Sequence, residues 1–143
     1  MTEKLYISWT DFHQHVKELA EKLKNSGRRF NKIVAVSRGG LLPAGILAYE
    51  LDIRDCETVN MSSYDGETRR ADEDIKIRQS IFGVDAQTLI IDDLSDTGRT
   101  FRILRRIYPQ AVFVSVYAKP QGRGEVDIYC RDMPDRWIVF PWD

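Results

Sequence analysis

The stretch 89–100 carries the residue types most able to bind a charged ligand. An apolar run ends in two adjacent carboxylates, Asp92 and Asp93, a third follows at Asp96, and the segment 97–100, Thr-Gly-Arg-Thr, then begins a helix. Backbone N–H groups, hydroxyls and the dipole at the start of a helix attract a phosphate group. Paired carboxylates instead accept hydrogen bonds from ribose hydroxyls or bind hydrated Mg²⁺. The spacing therefore predicts a site for a molecule with a phosphate at one end and a sugar, with its metal ion, at the other.

A simpler interpretation of the same stretch is open at this point. Asp92 and Asp93 could be acids that cap the following helix, with Thr97 serving only as a turn residue. An acidic pair after a strand, taken alone, favours this simpler interpretation. Only the whole string from residue 89 to residue 100 is specific.

Strands and helices alternate along the chain on either side of this string. Short runs of mostly apolar residues predict strands over residues 32–36, 88–91 and 111–118, and residues 56–61 are predicted to form another strand. Apolar residues at helical spacing predict helices over residues 41–51 and 101–108 and a first helix, whose apolar face and ends are Phe12, Val16, Leu19 and Leu23, with Ser8 or Thr10 as the cap and Asn25-Ser26-Gly27 as the stop. This alternation implies an α/β fold class, a single domain over residues 1–143 with a mostly parallel central sheet flanked by helices. Such sheets bind ligands beyond the carboxyl ends of their strands, where the predicted loop 92–100 lies.

Composition and charge exclude several classes of protein. The chain has 143 residues and a formal charge of −1, which gives no large field to attract nucleic acid or an anionic membrane. No apolar run approaches the roughly 20 residues of a membrane helix, and Met1-Thr2-Glu3-Lys4 does not begin a signal peptide. Cys56 and Cys130 match no metal or redox spacing, and His13 and His15 lie together on a predicted surface helix. We therefore expect a cytoplasmic protein with two reduced cysteines and no histidine metal site.

A long polar stretch separates the strand 56–61 from the strand 88–91. Almost every residue from 64 to 74 is polar, so this segment cannot belong to a core. A loop this long inside a compact domain is usually functional or mobile, and we expect the stretch 63–86 to be mobile without ligand. Residues 75–82 are predicted to form a strand pair or hairpin beside it.

The string 89–100 resembles the ribose-phosphate signature of the type I phosphoribosyltransferases, two acidic residues followed by Asp-Thr-Gly-x-Thr. Four further segments resemble the bacterial xanthine-guanine phosphoribosyltransferases in the same order along the chain: Val34-Ala35-Val36-Ser37-Arg38-Gly39-Gly40-Leu41, Ser62-Ser63-Tyr64-Asp65, Ala118-Lys119-Pro120, and Trp137-Ile138 followed by Pro141-Trp142-Asp143. This likeness covers nearly the whole chain. It implies the type I phosphoribosyltransferase fold, with a small hood formed by the flexible loop and the C-terminal segment.

The resemblance implies how the chain would hold 5-phosphoribosyl pyrophosphate (PRPP). Ser37, Arg38 and Gly39 would bind the pyrophosphate, in a loop where family members often have a cis peptide bond. Arg70, in the polar stretch, matches a family arginine that reaches the pyrophosphate, and Arg69 is its alternative. The other implied contacts are to the ribose hydroxyls, from Asp92 and Asp93 partly through Mg²⁺, and to the 5′-phosphate, from Asp96, Thr97, Gly98, Arg99 and Thr100.

The resemblance also implies a purine site. Lys119 would donate to the base O6, Trp137 would stack on the purine, and backbone groups around Ile138 would contact the edge near position 2. Asp96 would lie near N7 as the acid/base. Because an ammonium only donates hydrogen bonds, Lys119 predicts selection of a 6-oxopurine over adenine. Outside this context, a lysine at a strand end is usually a solvated charge and a C-terminal tryptophan is usually core.

The expected activity is transfer of the phosphoribosyl group from PRPP to guanine, xanthine or hypoxanthine, with release of pyrophosphate, in purine salvage. The implied catalytic residues are Asp96, Arg38 and Arg70, and the implied cofactor is Mg²⁺, held by Asp92 and Asp93. The expected partners are the two substrates and further copies of the chain, as a dimer or tetramer, without nucleic acid.

Three alternatives are weighed against this expectation. A regulatory protein that binds PRPP without robust transferase activity would share the acidic loop, but such proteins tend to add a nucleic-acid surface, and no basic stripe is evident. A phosphorylation-receiver domain also has an acidic pair and a Lys-Pro dipeptide, but its acidic pair follows the first strand. A phosphoribosyltransferase for a pyrimidine is disfavoured by Lys119 and Trp137.

Overall fold

The computed structural model describes residues 3–61 and 81–143, and the helices and strands below all lie within these ranges. The strands are β1 (Leu5–Tyr6), β2 (Lys32–Ser37), β3 (Asp55–Asn60), β4 (Thr88–Ser95), β5 (Val112–Ala118), β6 (Ile128–Asp132) and β7 (Ile138–Val139). The helices are α1 (Trp9–Lys24), α2 (Leu41–Glu50), α3 (Arg99–Ile107) and a short 3₁₀ helix (Arg123–Glu125). The described residues include no helix that is both long and apolar enough to cross a membrane.

Five of these strands form one parallel sheet in the order β3-β2-β4-β5-β6. The chain runs outward from β2 to β3, then returns to the other side of β2 and continues through β4, β5 and β6. The strand order therefore reverses between β2 and β4, and this switch point opens a crevice at the carboxyl ends of the two strands. The register Ala35↔Ile91 brings the residues after β2 and the end of β4 to this crevice. The predicted α/β class and mostly parallel sheet are confirmed.

The two faces of the sheet are covered by different helices. On one face α1 and α2 bury an apolar core that includes Leu19 and Leu47. On the other face α3 contributes Phe101, whose ring packs edge-on against Phe113 at a centroid distance of 5.4 Å. Of the two predicted caps, Ser8 and Thr10, the structure has Ser8, whose hydroxyl oxygen accepts the N–H of Asp11 at 3.0 Å and so satisfies a donor at the start of α1. Both faces are closed, as a parallel sheet requires.

A separate two-stranded sheet joins the two chain ends. β1 pairs in parallel with β7, and the N–H of Leu5 donates to the carbonyl of Trp137 at 2.8 Å. Trp142 stacks on Phe140 at 4.8 Å and packs edge-on against Phe12 of α1 at 4.9 Å. The predicted hood thus includes the C-terminal segment, but its second described strand comes from the N-terminal segment, which the sequence prediction left out.

The described structure corrects the predicted boundaries around the acidic pair. Residues 92–100 were expected to form a loop, whereas β4 continues to Ser95 and α3 begins at Arg99, which leaves Asp96–Gly98 between them. The strand is longer because its pairing with β5 continues to Ser95↔Ala118. Strand β6 was not predicted, because its sequence Ile-Tyr-Cys-Arg-Asp has no apolar run and its side chains are only partly buried. Within the predicted hairpin 75–82, residues 75–80 lie outside the described ranges, and Ile81 and Phe82 belong to no helix or strand.

The two histidines of α1 have different environments. His13 is exposed, whereas His15 is half-buried and its Nδ1 lies 2.8 Å from the hydroxyl of Tyr117, a fully buried residue of β5. Burial, and then the nearby Arg131 cation, lower the pKa of His15. Both cysteines are free. His15 therefore has a packing role between α1 and the sheet that the sequence did not indicate.

Candidate active site

Asp92 and Asp93 are adjacent residues of β4, near the end of the strand that faces the crevice. The side chain of each accepts a hydrogen bond from the backbone N–H of the next residue. The N–H of Asp93 donates to Asp92 Oδ1 at 2.8 Å, and the N–H of Leu94 donates to Asp93 Oδ1 at 2.7 Å. Burial, and then the neighbouring Asp93 charge, raise the pKa of Asp92 well above its ordinary value. Burial also raises the pKa of Asp93. Two crowded carboxylates of this kind favour a cation or hydroxyl donors over an anion.

The pair fits the way in which proteins bind Mg²⁺ together with a phosphorylated substrate. The described residues contain no group of three or more His, Cys, Asp or Glu side chains arranged to hold a metal ion. Mg²⁺ does not need such a cage, because it commonly takes one or two carboxylates and completes its coordination with water and substrate oxygens. Asp92 and Asp93 supply that minimum.

The segment Asp96–Gly98 and the start of α3 form a small cavity suited to a phosphate. Gly98 has φ 86° and precedes Arg99, the first residue of the helix, whose N–H donates to Thr97 Oγ1 at 3.3 Å. The first turn of α3 contains no acidic residue, so the positive end of the helix dipole is not opposed there. The cavity measures about 80 Å³ and is lined by Asp92, Leu94, Ser95, Asp96, Thr97, Gly98, Arg99, Thr100 and Phe101.

We expect Gly98→Ala to destabilise the protein more than Gly27→Ala. Both glycines have a positive φ, 86° and 79°, which costs an L-residue roughly 1–2 kcal/mol. A Cβ added at Gly27 would meet nothing within 4 Å, whereas one added at Gly98 would lie 2.6 Å from Cγ of Glu125. Urea denaturation should therefore give a loss of about 1 kcal/mol at Gly27 and about 2–3 kcal/mol at Gly98. Equal losses would show that Glu125 moves aside freely and that only φ selects glycine at residue 98.

The loop after β2 lies directly against the acidic pair. The peptide bond between Ser37 and Arg38 is cis. A Cβ on Gly39 would stand 2.5 Å from Asp93 Oδ2, so this approach requires glycine. Arg38 is exposed at the mouth of the crevice. The loop and the acidic pair together line an open cleft of about 510 Å³, bounded by Val36, Ser37, Arg38, Gly39, Asn60, Met61, Asp92, Asp93 and Thr100.

Lys119 forms an ion pair with Asp96, one of the residues that line the phosphate cavity. Lys119 follows β5 and is only 7% exposed, against the usual expectation of a solvated lysine. Its Nζ lies 3.4 Å from Asp96 Oδ1, and the Asp96 side chain is 55% exposed. A buried ammonium and a partly exposed carboxylate therefore present a donor and an acceptor side by side. The two residues predicted to contact adjacent atoms of a purine are brought together.

Trp137 directly precedes β7, and Ile138 is the first residue of that strand. Ile138 is buried in the core, whereas the Trp137 side chain is 67% exposed. The carbonyl of Trp137 accepts the N–H of Leu5 in β1, and the carbonyl of Val139 accepts the N–H of Ile7, which directly follows β1. Because carbonyls alternate along a strand, the backbone groups of Ile138 point to the opposite edge of β7. That edge is where the sequence predicts backbone contact with a base.

Several residues of this region were predicted incompletely or not at all. Arg70, with its alternative Arg69, lies outside the described residues. Leu94 was not singled out, although it is a half-buried apolar residue in the wall of the phosphate cavity, between the acidic pair and Asp96. No separate role was predicted for Asp143, which belongs to one of the segments that resemble the family. Its carboxylate accepts the N–H of Phe140 at 2.8 Å, and its charge helps to raise the pKa of Asp93, which places it near the acidic pair.

A parallel α/β sheet whose acidic pair and small polar cavity lie at its switch point belongs to the class of α/β proteins that bind ligands at the carboxyl ends of their strands. Residues 8–143 match the model of the phosphoribosyl transferase domain, and the chain belongs to this family. The predicted type I fold and the prediction of a phosphoribosyltransferase enzyme are thereby confirmed.

The chain is similar to several solved structures. A purine phosphoribosyltransferase from Pyrococcus horikoshii is 26% identical, with a TM-score of 0.76 over 98% of this chain and 94% of that one. A xanthine-guanine-hypoxanthine phosphoribosyltransferase from Helicobacter pylori is 19% identical, with a TM-score of 0.73 over 99% and 93%. A hypothetical protein from Neisseria gonorrhoeae with bound ppGpp is 22% identical, with a TM-score of 0.73 over 100% and 90%. The last two similarities concern the fold alone.

Proposed function

We propose that this chain, acting as a single domain, transfers the phosphoribosyl group of PRPP to a 6-oxopurine. The observation that carries the proposal is the contact between Lys119 and Asp96 beside the phosphate cavity. A buried lysine that is not needed for the core is costly, because its charge must leave water. Here a hydrogen bond to an acceptor on a bound base would compensate the ammonium for its lost hydration. The 6-oxo group of guanine, xanthine or hypoxanthine is such an acceptor.

Different residues around the crevice would bind the three parts of PRPP. The 5′-phosphate would occupy the cavity formed by Asp96, Thr97, Gly98, Arg99 and Thr100, where backbone N–H groups and the helix dipole favour an anion. The ribose hydroxyls would donate to Asp92 and Asp93. The pyrophosphate would lie over Ser37, Arg38 and Gly39 in the open cleft, with Arg70 as a further proposed contact.

Catalysis would rest on electrostatic support of the leaving group more than on a strong nucleophile. The reaction breaks the bond between C1 of the ribose and pyrophosphate, and a purine nitrogen forms the new bond. Arg38 stabilises the negative charge that grows on pyrophosphate. Mg²⁺, held by Asp92 and Asp93 together with the ribose, would add positive charge at the same place when bound. Asp96 accepts a proton from the base at N7, with Lys119 donating to O6.

Trp137 and Ile138 would complete the base site. The exposed indole of Trp137 offers an apolar face of the size of a purine ring. The outward backbone edge at Ile138 offers one donor and one acceptor to the purine edge near position 2. Backbone contacts of this kind accept guanine, xanthine and hypoxanthine alike, so we propose the group of 6-oxopurines as substrates.

Turnover with a panel of bases tests the proposal. The protein is incubated with PRPP, Mg²⁺ and guanine, xanthine, hypoxanthine, adenine or uracil in turn, and nucleotide and pyrophosphate are both measured. We expect base-dependent release of pyrophosphate with the three 6-oxopurines and at least roughly 10²-fold less with adenine. Binding of PRPP without nucleotide formation from any base would contradict the proposal and favour a regulatory protein.

We further propose that the chain forms a cytoplasmic homo-oligomer, a dimer or tetramer. The support for self-association is the outer face of α2, which has no charged residue from Leu41 to Tyr49. Leu41 is 43% exposed and Tyr49 is 92% exposed on this helix. An apolar helix normally buries all its sides. Light scattering of the free protein measures the number of subunits.

A further inference from the structure

Ser95, the last residue of β4, makes hydrogen bonds to both ends of the turn that begins at Lys119. Its carbonyl accepts the N–H of Lys119 at 3.0 Å, which extends the β4–β5 ladder by one residue beyond Ser95↔Ala118. Its hydroxyl donates to the carbonyl of Gly122 at 2.8 Å. Ser95 is 5% exposed, so water has little access to compete for these bonds.

The turn 119–122 also contacts, through its backbone, the segment Asp96–Gly98, which is called the phosphate loop below. It is closed by the N–H groups of Gly122 and Arg123, which donate to the carbonyl of Lys119 at 2.9 and 3.1 Å. A Cβ on Gly122 would collide with the carbonyl of Ser95 and stand 2.8 Å from that of Asp96. The turn is therefore pressed against the peptide that joins Ser95 to Asp96, and Ser95 bonds it at its first and last residues.

We propose that Ser95 is a positioning residue of the base site, which holds the turn 119–122 against β4 and so fixes Lys119 Nζ beside Asp96. This inference rests on the proposed function, in which Lys119 contacts the base. The lysine stem has several rotatable bonds, so its ammonium is only as well placed as the backbone that carries it. Without the Ser95 hydroxyl, the Gly122 carbonyl keeps a longer bond, from the N–H of Glu125 at 3.3 Å. That bond lies within the 3₁₀ turn and does not tie it to β4.

Hydrogen exchange tests, without any ligand, whether Ser95 holds the turn 119–122 against β4. The variant Ser95→Ala is compared with Thr88→Val, which removes another fully buried hydroxyl from the far end of the same strand, where Thr88 Oγ1 accepts from the N–H of Asp85 at 3.1 Å. We expect the amides of Gly122 and Arg123 to exchange roughly tenfold faster in Ser95→Ala and at the wild-type rate in Thr88→Val. Unchanged exchange at both amides in Ser95→Ala would overturn the proposal.

Two ligands then separate the base site from the phosphate site. Calorimetry measures GMP, which has a base, and ribose 5-phosphate, which has none. In Ser95→Ala we expect the affinity for GMP to fall about tenfold more than the affinity for ribose 5-phosphate, whose change reports any direct effect of Ser95 on the phosphate cavity that it lines. Ser95→Thr keeps the hydroxyl and should restore GMP binding.

The outcomes distinguish this inference from the proposed function. An equal loss for both ligands in Ser95→Ala would overturn the positioning of Lys119, since Ser95 would then support the phosphate loop alone. If the wild-type protein bound ribose 5-phosphate but gained nothing from the base of GMP, the proposed function would fail. The exchange rates would still decide whether Ser95 clamps the turn.

Discussion

The double variant Asp92→Asn, Asp93→Asn is expected to lose roughly 10³-fold in kcat/KM for PRPP and, at the same time, to become harder to unfold. Asparagine keeps an oxygen that can accept the two backbone N–H groups now bound at 2.8 and 2.7 Å. It removes the charges whose burial raises the pKa of both carboxyls, and at Asp92 it also removes the further rise caused by the neighbouring Asp93 charge. The buried negative charge of the native pair is therefore unfavourable in the free protein, and a bound cation or hydroxyl donors would stabilise it.

Two measurements on the same variant check both halves of this prediction. Steady-state kinetics with PRPP and Mg²⁺ report the loss in kcat/KM, and calorimetry with the same ligands reports how much of it is lost affinity. Urea denaturation at neutral pH reports the gain in the free energy of unfolding, expected to be about 1 kcal/mol. The exposed Asp52→Asn is the matched control, because Asp52 lies between α2 and β3, and its φ of 53° suits asparagine. Unaltered affinity for PRPP in the double variant would remove the acidic pair from the proposed site.

The sequence predicted the elements whose patterns are periodic and apolar. The spacing of Phe12, Val16 and Leu19 located α1, and the apolar run at residues 88–91 located the start of β4, because burial alone dictates both patterns. The full length of β4 could not be predicted in this way. Asp92 and Asp93 interrupt the apolar run, yet the strand continues since its partner β5 supplies ladder hydrogen bonds as far as Ala118.

Contacts between distant segments were the part that single-sequence patterns could not supply. The bond between Ser95 and Gly122 spans 27 residues, and the contact between His15 and Tyr117 spans 102. β1 has two residues and forms only with β7 at the other chain end. Nothing local to either partner favours these contacts, because their stability comes from the packing of the whole fold. The stretch 89–100 could be recognised in the sequence because its acidic and hydroxyl residues follow one another along the chain. Its contact with the turn 119–122 could not, because that turn is distant in sequence.

Removing the charge of Lys119 is expected to have the second large effect. In Lys119→Met the stem still fills its buried position, but the donor to the base is lost. A hydrogen bond to a charged group contributes roughly 1.5–3 kcal/mol, so kcat/KM for guanine should fall roughly 10- to 150-fold. Asp96 then loses its ion pair at 3.4 Å, but its side chain is half-exposed and remains solvated. We therefore expect the site to stay folded in this variant. The matched control is Lys24→Met, since Lys24 is an exposed lysine with an ion pair to Glu21 at 3.2 Å.

Lys119→Gln separates hydrogen-bond direction from charge. The ammonium of lysine can only donate, so a 6-amino group leaves it facing another donor in a buried position, whereas the amide of glutamine can also accept. Because that amide also keeps an N–H donor for O6, we expect Lys119→Gln to retain more activity with guanine than Lys119→Met does, and to have a roughly tenfold higher kcat/KM for adenine than Lys119→Met. If both variants kept wild-type turnover of guanine, the base would not be bound at Lys119. If the kcat/KM for adenine were equal in the two variants, the direction of the hydrogen bond at residue 119 would not select the base.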